Sequence, residues 1–385
     1  MSSRRQAGRR RPTLRDVASE VGVSAQTVSN AFHRPDQLSP AVRGAVLEAA
    51  ARLGYSGPDP VARSLRSGRA GALGVVYNDR LSHAFDDPAF VLFLRGVART
   101  AEEAGLGLLL IPGDPHVRAA PRSGQKRRSA LGLAAVDGLV VYSMPDDDPL
   151  YTAATARGLP LVSVDAPHDG RHDFVGVDDE SVARAAAEHL LGLGHRRLAI
   201  IALEFTARRR FGPAGPEAQA ATTSLLTRSR LAGYRAAVTA AGLTWDAVSV
   251  IETTANTEEQ GRNAARLMLN TDNPPTALLA MSDRLALGAL LAADDLDVDV
   301  PSDVSVVGVD DIPAAATARP PLTTVAQDHQ DKGHHAGRLL IAALDDPSDA
   351  GGRRSSTARR TTVLLPTRLS VRESSGPPRE PASRR

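Results

Sequence analysis

The side chains best suited to chemistry stand at the ends of short apolar runs. Asn78 and Asp79 follow ALGVVY, Asp165 closes the run Leu159–Val164, Ser282 and Asp283 follow ALLAM, and Asp310 and Asp311 follow VSVVGV. Runs of this kind read as buried strands, and in sheets of parallel strands ligands sit outside the carboxyl ends. Carboxylates accept hydrogen bonds, whereas amides and hydroxyls both accept and donate, so these strand-end residues are candidates for a small-molecule site. For Asp283 and Asp311 the competing reading, a polar cap on the helix that follows, stays open. Catalysis finds no support. No GxGxxG follows a strand, and there is no P-loop and no GxSxG. Cysteine is absent, which excludes a thiol nucleophile, a disulfide and a Cys-ligated metal. His195 stands in a helix-to-strand connection (LGHRR) and reads as structural. His334 and His335 are adjacent and would diverge by about 100° on a helix. No catalytic residue, metal or cofactor is therefore expected.

The elements that must hold these residues alternate. Strands are predicted at Ala72–Tyr77, Gly107–Ile111, Gly138–Tyr142, Leu159–Val164, Arg197–Ala202, Thr276–Ala280 and Val304–Val309. Helices are predicted at Phe90–Ala104, Ser181–Leu193, Arg230–Ala241, Thr257–Asn270 and Leu285–Asp294. This is the βαβ pattern of an α/β core with parallel sheets. Two such sheets facing each other across a cleft suit hinge closure on a small ligand. Phe205–Thr227, rich in Arg, Gly, Pro, Ala and Thr, reads as a mobile loop. Gly113–Ser129 reads as a solvated basic loop.

Ahead of this core stands an all-α head. Leu14, Val17, Ala18 and Val21 recur at helical spacing, Thr13 caps them with Asp16 three residues on, and Gly22 ends the helix. Ser24 is the N-cap of a second short helix with Val28 and Ala31 inward. A third begins at Ser39-Pro40, runs with Val42, Val46, Leu47, Ala50 and Leu53 inward, and ends at Gly54. Two helices joined by a tight glycine turn are the helix-turn-helix signature, whose second helix enters the DNA major groove. A generic three-helix bundle is the alternative on pattern alone.

Charge favours DNA. Residues 1–70 hold 12 Arg, no Lys and 5 acids, a net +7, whereas the whole chain is only +2. A basic head on a mildly acidic body is the footprint of phosphate binding at one end. Arg4, Arg5 and Arg9–Arg11 read as a disordered arm over residues 1–12. Residues 58–70 read as a hinge: Pro58 and Pro60 stop the third helix, and Val61–Leu65 is too short to be a stable isolated helix. Leu65 between Arg63 and Arg66 suits a wedge that unstacks a base step from the minor groove. A plain flexible linker is the competing reading. No apolar run is long enough to span a bilayer and no signal peptide precedes the head, so a cytoplasmic protein without membrane contact is expected.

At this point the chain resembles the lactose/galactose-repressor (LacI/GalR) family of bacterial transcription regulators. The stretches that carry the resemblance are VASEVGVSAQTVSNAF, LGYSGPDPVARSLRSGR, HLLGLGHRRLAII, VPSDVSVVGVDDIP and RPPLTTV, in order across residues 13–372. The resemblance implies a homodimeric repressor on palindromic double-stranded operator DNA. It also implies a two-lobed core like the periplasmic sugar-binding proteins. The domains would be the head at 13–57, the hinge at 58–70, the core at 71–372 and a disordered tail at 373–385. Within the core the lobes would be about 72–175 with 327–355, and 176–326 with 356–372. By the same resemblance Ala25, Gln26 and Asn30 face the groove, and Thr13, Ser24, Thr27 and Ser29 bind phosphates or cap. Ala62 and Leu65 act from the hinge. Arg230 would clamp a hydroxyl pair or carboxylate, Asp310 would accept from sugar hydroxyls, and Asn78, Phe90, Asp165, Asn256 and Ser282 would line the cleft. The effector is expected to be a carbohydrate. Ser282 and Asn30 depart from the family's commoner Asn and Arg, which points to an altered effector contact and operator. A stand-alone periplasmic-type binding protein and a sugar-modifying α/β enzyme are the other classes. The export signal a binding protein needs is missing, and turnover of a ligand would mark the enzyme.

Overall fold

The computed structural model describes residues 12–57, 68–113, 129–346 and 360–379. The expected hinge residues Ala62 and Leu65, the arginines of the arm and most of the 113–129 loop lie outside them. The chain divides into two compact units, residues 1–70 and 71–385.

In the first unit α1 (Leu14–Val21) starts where the Asp16 carboxylate accepts from the backbone N–H and the hydroxyl of Thr13, at 2.6 and 2.7 Å. Gly22 ends it in the left-handed conformation. In α2 (Ala25–His33) the Ser24 hydroxyl caps the Thr27 N–H at 3.0 Å. A 3₁₀ turn, Pro35–Gln37, leads to α3 (Pro40–Leu53), capped by Ser39. Val17, Val28, Ala31, Val46, Ala49 and Ala50 form the core. Leu47 and Leu53, expected inward, are instead exposed at 37% and 36%. The buried stripe of α3 is Val46-Ala49-Ala50, and Leu47 lies about 100° round the helix from Val46.

In the second unit the chain runs β1 (Ala72–Tyr77), α4 (Leu81–Asp86), α5 (Pro88–Glu103), β2 (Gly107–Pro112), α6 (Ala130–Leu133), β3 (Gly138–Tyr142), α7 (Pro149–Thr155), β4 (Leu161–Val164) and β5 (Asp173–Val177). A second lobe follows with α8 (Asp179–Gly192), β6 (Leu198–Ala202), β7 (Gly212–Pro213), α9 (Pro216–Ala220), α10 (Leu225–Ala240), β8 (Ser249–Glu252) and α11 (Glu258–Leu269). It continues with β9 (Ala277–Ala280), α12 (Asp283–Asp295), β10 (Ser305–Asp310), α13 (Pro313–Thr317) and β11 (Thr323–Ala326). The chain then crosses back: α14 (His329–Asp345) packs on α5, and β12 (Thr362–Leu365) joins the first sheet before β13 (Arg368–Ser370) joins the second. The sheets have the orders β12-β5-β4-β3-β1-β2 and β13-β11-β10-β9-β6-β8-β7. Among the described residues, only the β7 and β13 pairings are antiparallel. The central strands β3, β6 and β10 are buried along their whole length, as in parallel sheets with helices on both faces.

Several expectations are corrected. Residues 362–365 belong to the first sheet, because β12 extends it beside β5, and β5 itself runs past 175. The tail is ordered as far as residue 379. Ser374 is fully buried, its hydroxyl donating to Val306 O at 2.6 Å and accepting from the Thr323 N–H at 2.8 Å. Residues 205–227 are not a mobile loop. They contain β7, α9 and the start of α10, and Phe205 and Thr227 are buried. Their backbone groups find partners in β8, such as Ala214 N–H on Val250 O at 2.8 Å.

Close helix packing fixes the first lobe. Gly96 of α5 and Gly333 of α14 meet, and a Cβ on either would overlap a backbone carbonyl oxygen of the other helix, of Gln330 or of Phe93. The helix backbones approach this closely only because neither position carries a side chain.

Candidate effector cleft and nucleic-acid interface

The carboxyl ends of the strands from both lobes open onto one cleft of about 800 Å³, counted out to its mouth. Asn78, Asp165, Arg230, Asn256, Ser282 and Asp310 all line it, so six of the seven expected residues come together. Phe90 does not. Its ring is turned into the first lobe's core, stacked on Tyr77 at 4.4 Å between centroids and set against Tyr142 at 4.9 Å. The aromatic wall of the cleft is Tyr77 and Tyr142, with Asp87 and Ala89 of the same region facing inward. Phe90 lies one helical step round from Ala89, which faces the cleft.

Backbone geometry sets the cleft's polar groups. Asp165, Asp310 and Asp311, at the ends of β4 and β10, all have positive φ (61, 129 and 58°), as does Ser143 after β3 at 40°. Non-glycine residues rarely occupy this region, and such conformations cluster at ligand sites. Asp165 accepts from Lys332 Nζ at 2.6 Å, and Lys332 also donates to Gln327 Oε1 at 2.5 Å. Gln327 Nε2 in turn donates to Asp310 Oδ1 at 3.0 Å. Arg230 is buried; its Nε donates to Asp179 Oδ1 at 2.8 Å and its Nη1 to the Met281 carbonyl. This arginine is thus partly committed to the protein rather than wholly open for a ligand. Ser282 donates to Asn256 Oδ1 at 2.5 Å and caps α12 through the Leu285 N–H at 3.2 Å. Asp283 turns away from the cleft. It is fully buried and accepts from Thr324 Oγ1 at 2.5 Å and the Ile312 N–H at 2.9 Å. Burial, with Asp310 nearby, pushes its carboxyl up to about 7. Asp311 pairs with Arg372 at 2.6 Å.

His329 and Arg209 are among the cleft residues that escaped the sequence reading. His329 is buried on the wall, neither ring nitrogen has a hydrogen-bond partner, and Nε2 lies 3.4 Å from Asp310 Oδ1. It stands three residues past the end of β11, so the strand-end rule finds it once that strand is assigned. Arg209 enters from within residues 205–227. His195 is structural, held by Thr276, Ser305 and the Gly376 carbonyl at 2.9–3.1 Å. His334 and His335 carry their rings 6.0 Å apart in a T-shaped arrangement.

On the head, Ser24, Ala25 and Gln26 are exposed at the start of α2, while Thr27, Ser29 and Asn30 are half-buried. Gln26 Nε2 donates to Asn30 Oδ1 at 2.9 Å, and Asn30 Nδ2 donates to Gln37 Oε1 at 3.3 Å. Gln26, Asn30 and Gln37 are thus joined in one chain of side-chain hydrogen bonds. The Ser24 and Thr27 hydroxyls lie 2.9 Å apart.

Comparison with known proteins decides the family. Residues 13–57 match the domain family described as bacterial regulatory proteins, lacI family, and residues 187–375 match a periplasmic binding protein-like domain. An HTH-type transcriptional regulator of Mycobacterium tuberculosis is 42% identical over 86% of this chain and 91% of its own length. The chain belongs to the lacI family of bacterial regulatory proteins. Among solved structures, a complex of the transcriptional regulator CelR with cellobiose is 31% identical, with a TM-score of 0.64 over 94% of this chain and 100% of that one. A lac repressor dimer bound to operator and an anti-inducer is 26% identical, with a TM-score of 0.72 over 95% and 100%. This member of the lacI family is therefore a DNA-binding transcriptional regulator and not an enzyme. No helix among the described residues is long and apolar enough to cross a membrane.

Proposed function

We propose that the chain is a cytoplasmic, homodimeric repressor whose affinity for a palindromic operator is set by a sugar or related polyhydroxyl metabolite in the cleft. The observation that carries this reading is the convergence of Asn78, Asp165, Arg230, Asn256, Ser282 and Asp310 on one cavity between two lobes. Asp310 accepts from ligand hydroxyls, and Arg230, whose Nε and Nη1 are spoken for, reaches them with Nη2. Tyr77 and Tyr142 supply the apolar face a sugar ring needs. The relatives favour the same reading, since one solved neighbour holds cellobiose and another is a dimer on its operator. Exposed Leu267 of α11 and Leu291 of α12 give a second copy apolar surface to cover.

At the DNA, Gln26 and Asn30 read base edges and Ala25 touches a thymine methyl. Thr13, Ser24, Thr27 and Ser29 hold phosphates, and Ala62 and Leu65 of the hinge at 58–70 enter the minor groove between paired heads. The basic arm of residues 1–12 adds non-specific attraction.

The test selects operator sequences from a random DNA pool with the full chain, then measures binding in the presence of sugars, polyols and nucleobases that shift its melting temperature. A sugar or polyol that changes operator affinity supports the reading. A set of binders none of which alters operator affinity refutes it.

A further inference from the structure

Residues 204–224 fasten the two lobes together at the mouth of the cleft. The segment is rooted in the second lobe. Thr223 and Ser224 donate their N–H groups to Phe205 O at 2.8 and 3.0 Å, the Phe205 N–H donates to Glu252 Oε1 at 3.1 Å, and β7 pairs with β8. From that root it reaches the first lobe at two places. Asp147, between β3 and α7, accepts from the Ala207 N–H at 3.1 Å and from Thr223 Oγ1 at 2.6 Å. Beside it the Asp146 N–H donates to Thr223 O at 3.2 Å.

Arg209 makes the second crossing. Its Nη1 donates to Asp79 Oδ2 at 3.2 Å and its Nη2 to Asn78 Oδ1 at 3.4 Å, both just past the end of β1. The same Nη2 lies 3.5 Å from Glu204 Oε1, past the end of β6 in the other lobe. The Arg209 side chain is only 15% exposed, so salt and water screen these pairs less than a surface ion pair. Burial pushes the Asp79 carboxyl up, but the Arg80 N–H and the Arg209 guanidinium outweigh it and hold the carboxyl below its usual range.

We propose that this segment is a clasp that holds the effector cleft closed without a ligand, with Arg209 as the residue that sets its strength. Two-lobed folds close as rigid bodies about a hinge, and a closed state is populated only as far as contacts between the lobes favour it. Here the chain supplies those contacts itself. Arg209, Asp79 and Glu204 also line the cleft, so an entering molecule competes for the same guanidinium. Closure and entry are therefore governed by one side chain. The clasp rests on the reading of this cavity as the effector cleft, but its test requires no effector. A screen in which no sugar alters operator binding leaves the clasp standing, and a clasp that fails leaves the sugar site standing.

The chain has no cysteine, so spin labels can be placed at will. Thr152→Cys on α7 and Asp246→Cys before β8 put one label on each lobe at exposed positions. Inter-label distances are measured by pulsed electron resonance, without added ligand, on full-length labelled protein mixed with an excess of the unlabelled parent, so that pairs within one chain dominate. The expected result is one narrow distribution for the parent and an added longer population for Arg209→Ala. Arg209→Lys, which keeps the charge but not the fork, restores the narrow distribution in part. Asp79→Asn removes the same pair from the opposite lobe and gives the longer population even if the Arg209 variants fold poorly. A parent that is already broad, or variants whose distributions match the parent's, would overturn the clasp.

Discussion

The proposed readout and the pH response rest on single residues. Gln26 and Asn30 share a hydrogen bond, so in the proposed readout neither would act on DNA alone. Gln26→Ala should relax specificity at one base pair by about 1–3 kcal/mol. The double substitution with Asn30→Ala should cost less than the sum of the two, because each single change already releases the other side chain. Binding to operators varied one base pair at a time checks this. Equal weakening on every sequence would mean that Gln26 does not read a base. Asp283 tests the core. Its folded carboxyl, pushed up to about 7 by burial and Asp310, lies above the ordinary unfolded value of about 4. The stability it contributes is thus present below about pH 4 and is lost as pH rises through about 7. Asp283→Asn, which cannot titrate, should flatten the fall in stability across that window, as followed by urea unfolding at about pH 5 and about pH 8. An unchanged slope would remove Asp283 from the account.

At the scale of elements, the meeting of α5 and α14 through Gly96 and Gly333 holds the first lobe. Gly333→Ala sets a methyl against the Phe93 carbonyl and should cost about 1–3 kcal/mol, or more if the helices cannot part. Chemical denaturation reads that loss, and a stability equal to the parent's would contradict the packing. These glycines also explain what the sequence reading missed. Helix α14 carries Gly333 and Gly337 among Asp and His residues, and a glycine inside a helical stretch reads locally as a breaker. Here it is required by the neighbouring helix, a tertiary demand with no local signature. β5 and β11 are short, and DFVGV and TTVA give too few residues for periodicity to separate strand from loop. With β11 unassigned, His329 had no strand end to stand beside. The caps at Thr13, Ser24 and Ser39, the α1 and α2 faces and the polar ends of β1, β4 and β10 were legible, because each depends on residues a few positions apart. Phe90 was not, since one step round α5 separates the cleft from the core.

At the scale of the whole molecule, the account makes two sites report on each other. If the cleft and the operator stabilise different arrangements of the same core, effector and DNA must alter each other's affinity by the same factor, typically about 5–150-fold. The basic head adds that operator binding should fall steeply with salt, whereas binding of an uncharged sugar or polyol should not. The most direct measurement is a pair of titrations at one salt concentration with a sugar or polyol that raises the melting temperature of the full chain. Operator affinity is taken with and without that molecule, and its own affinity with and without operator. The account predicts two changes of equal size and the same sign. Tight binding of the molecule with no change in operator affinity would contradict it.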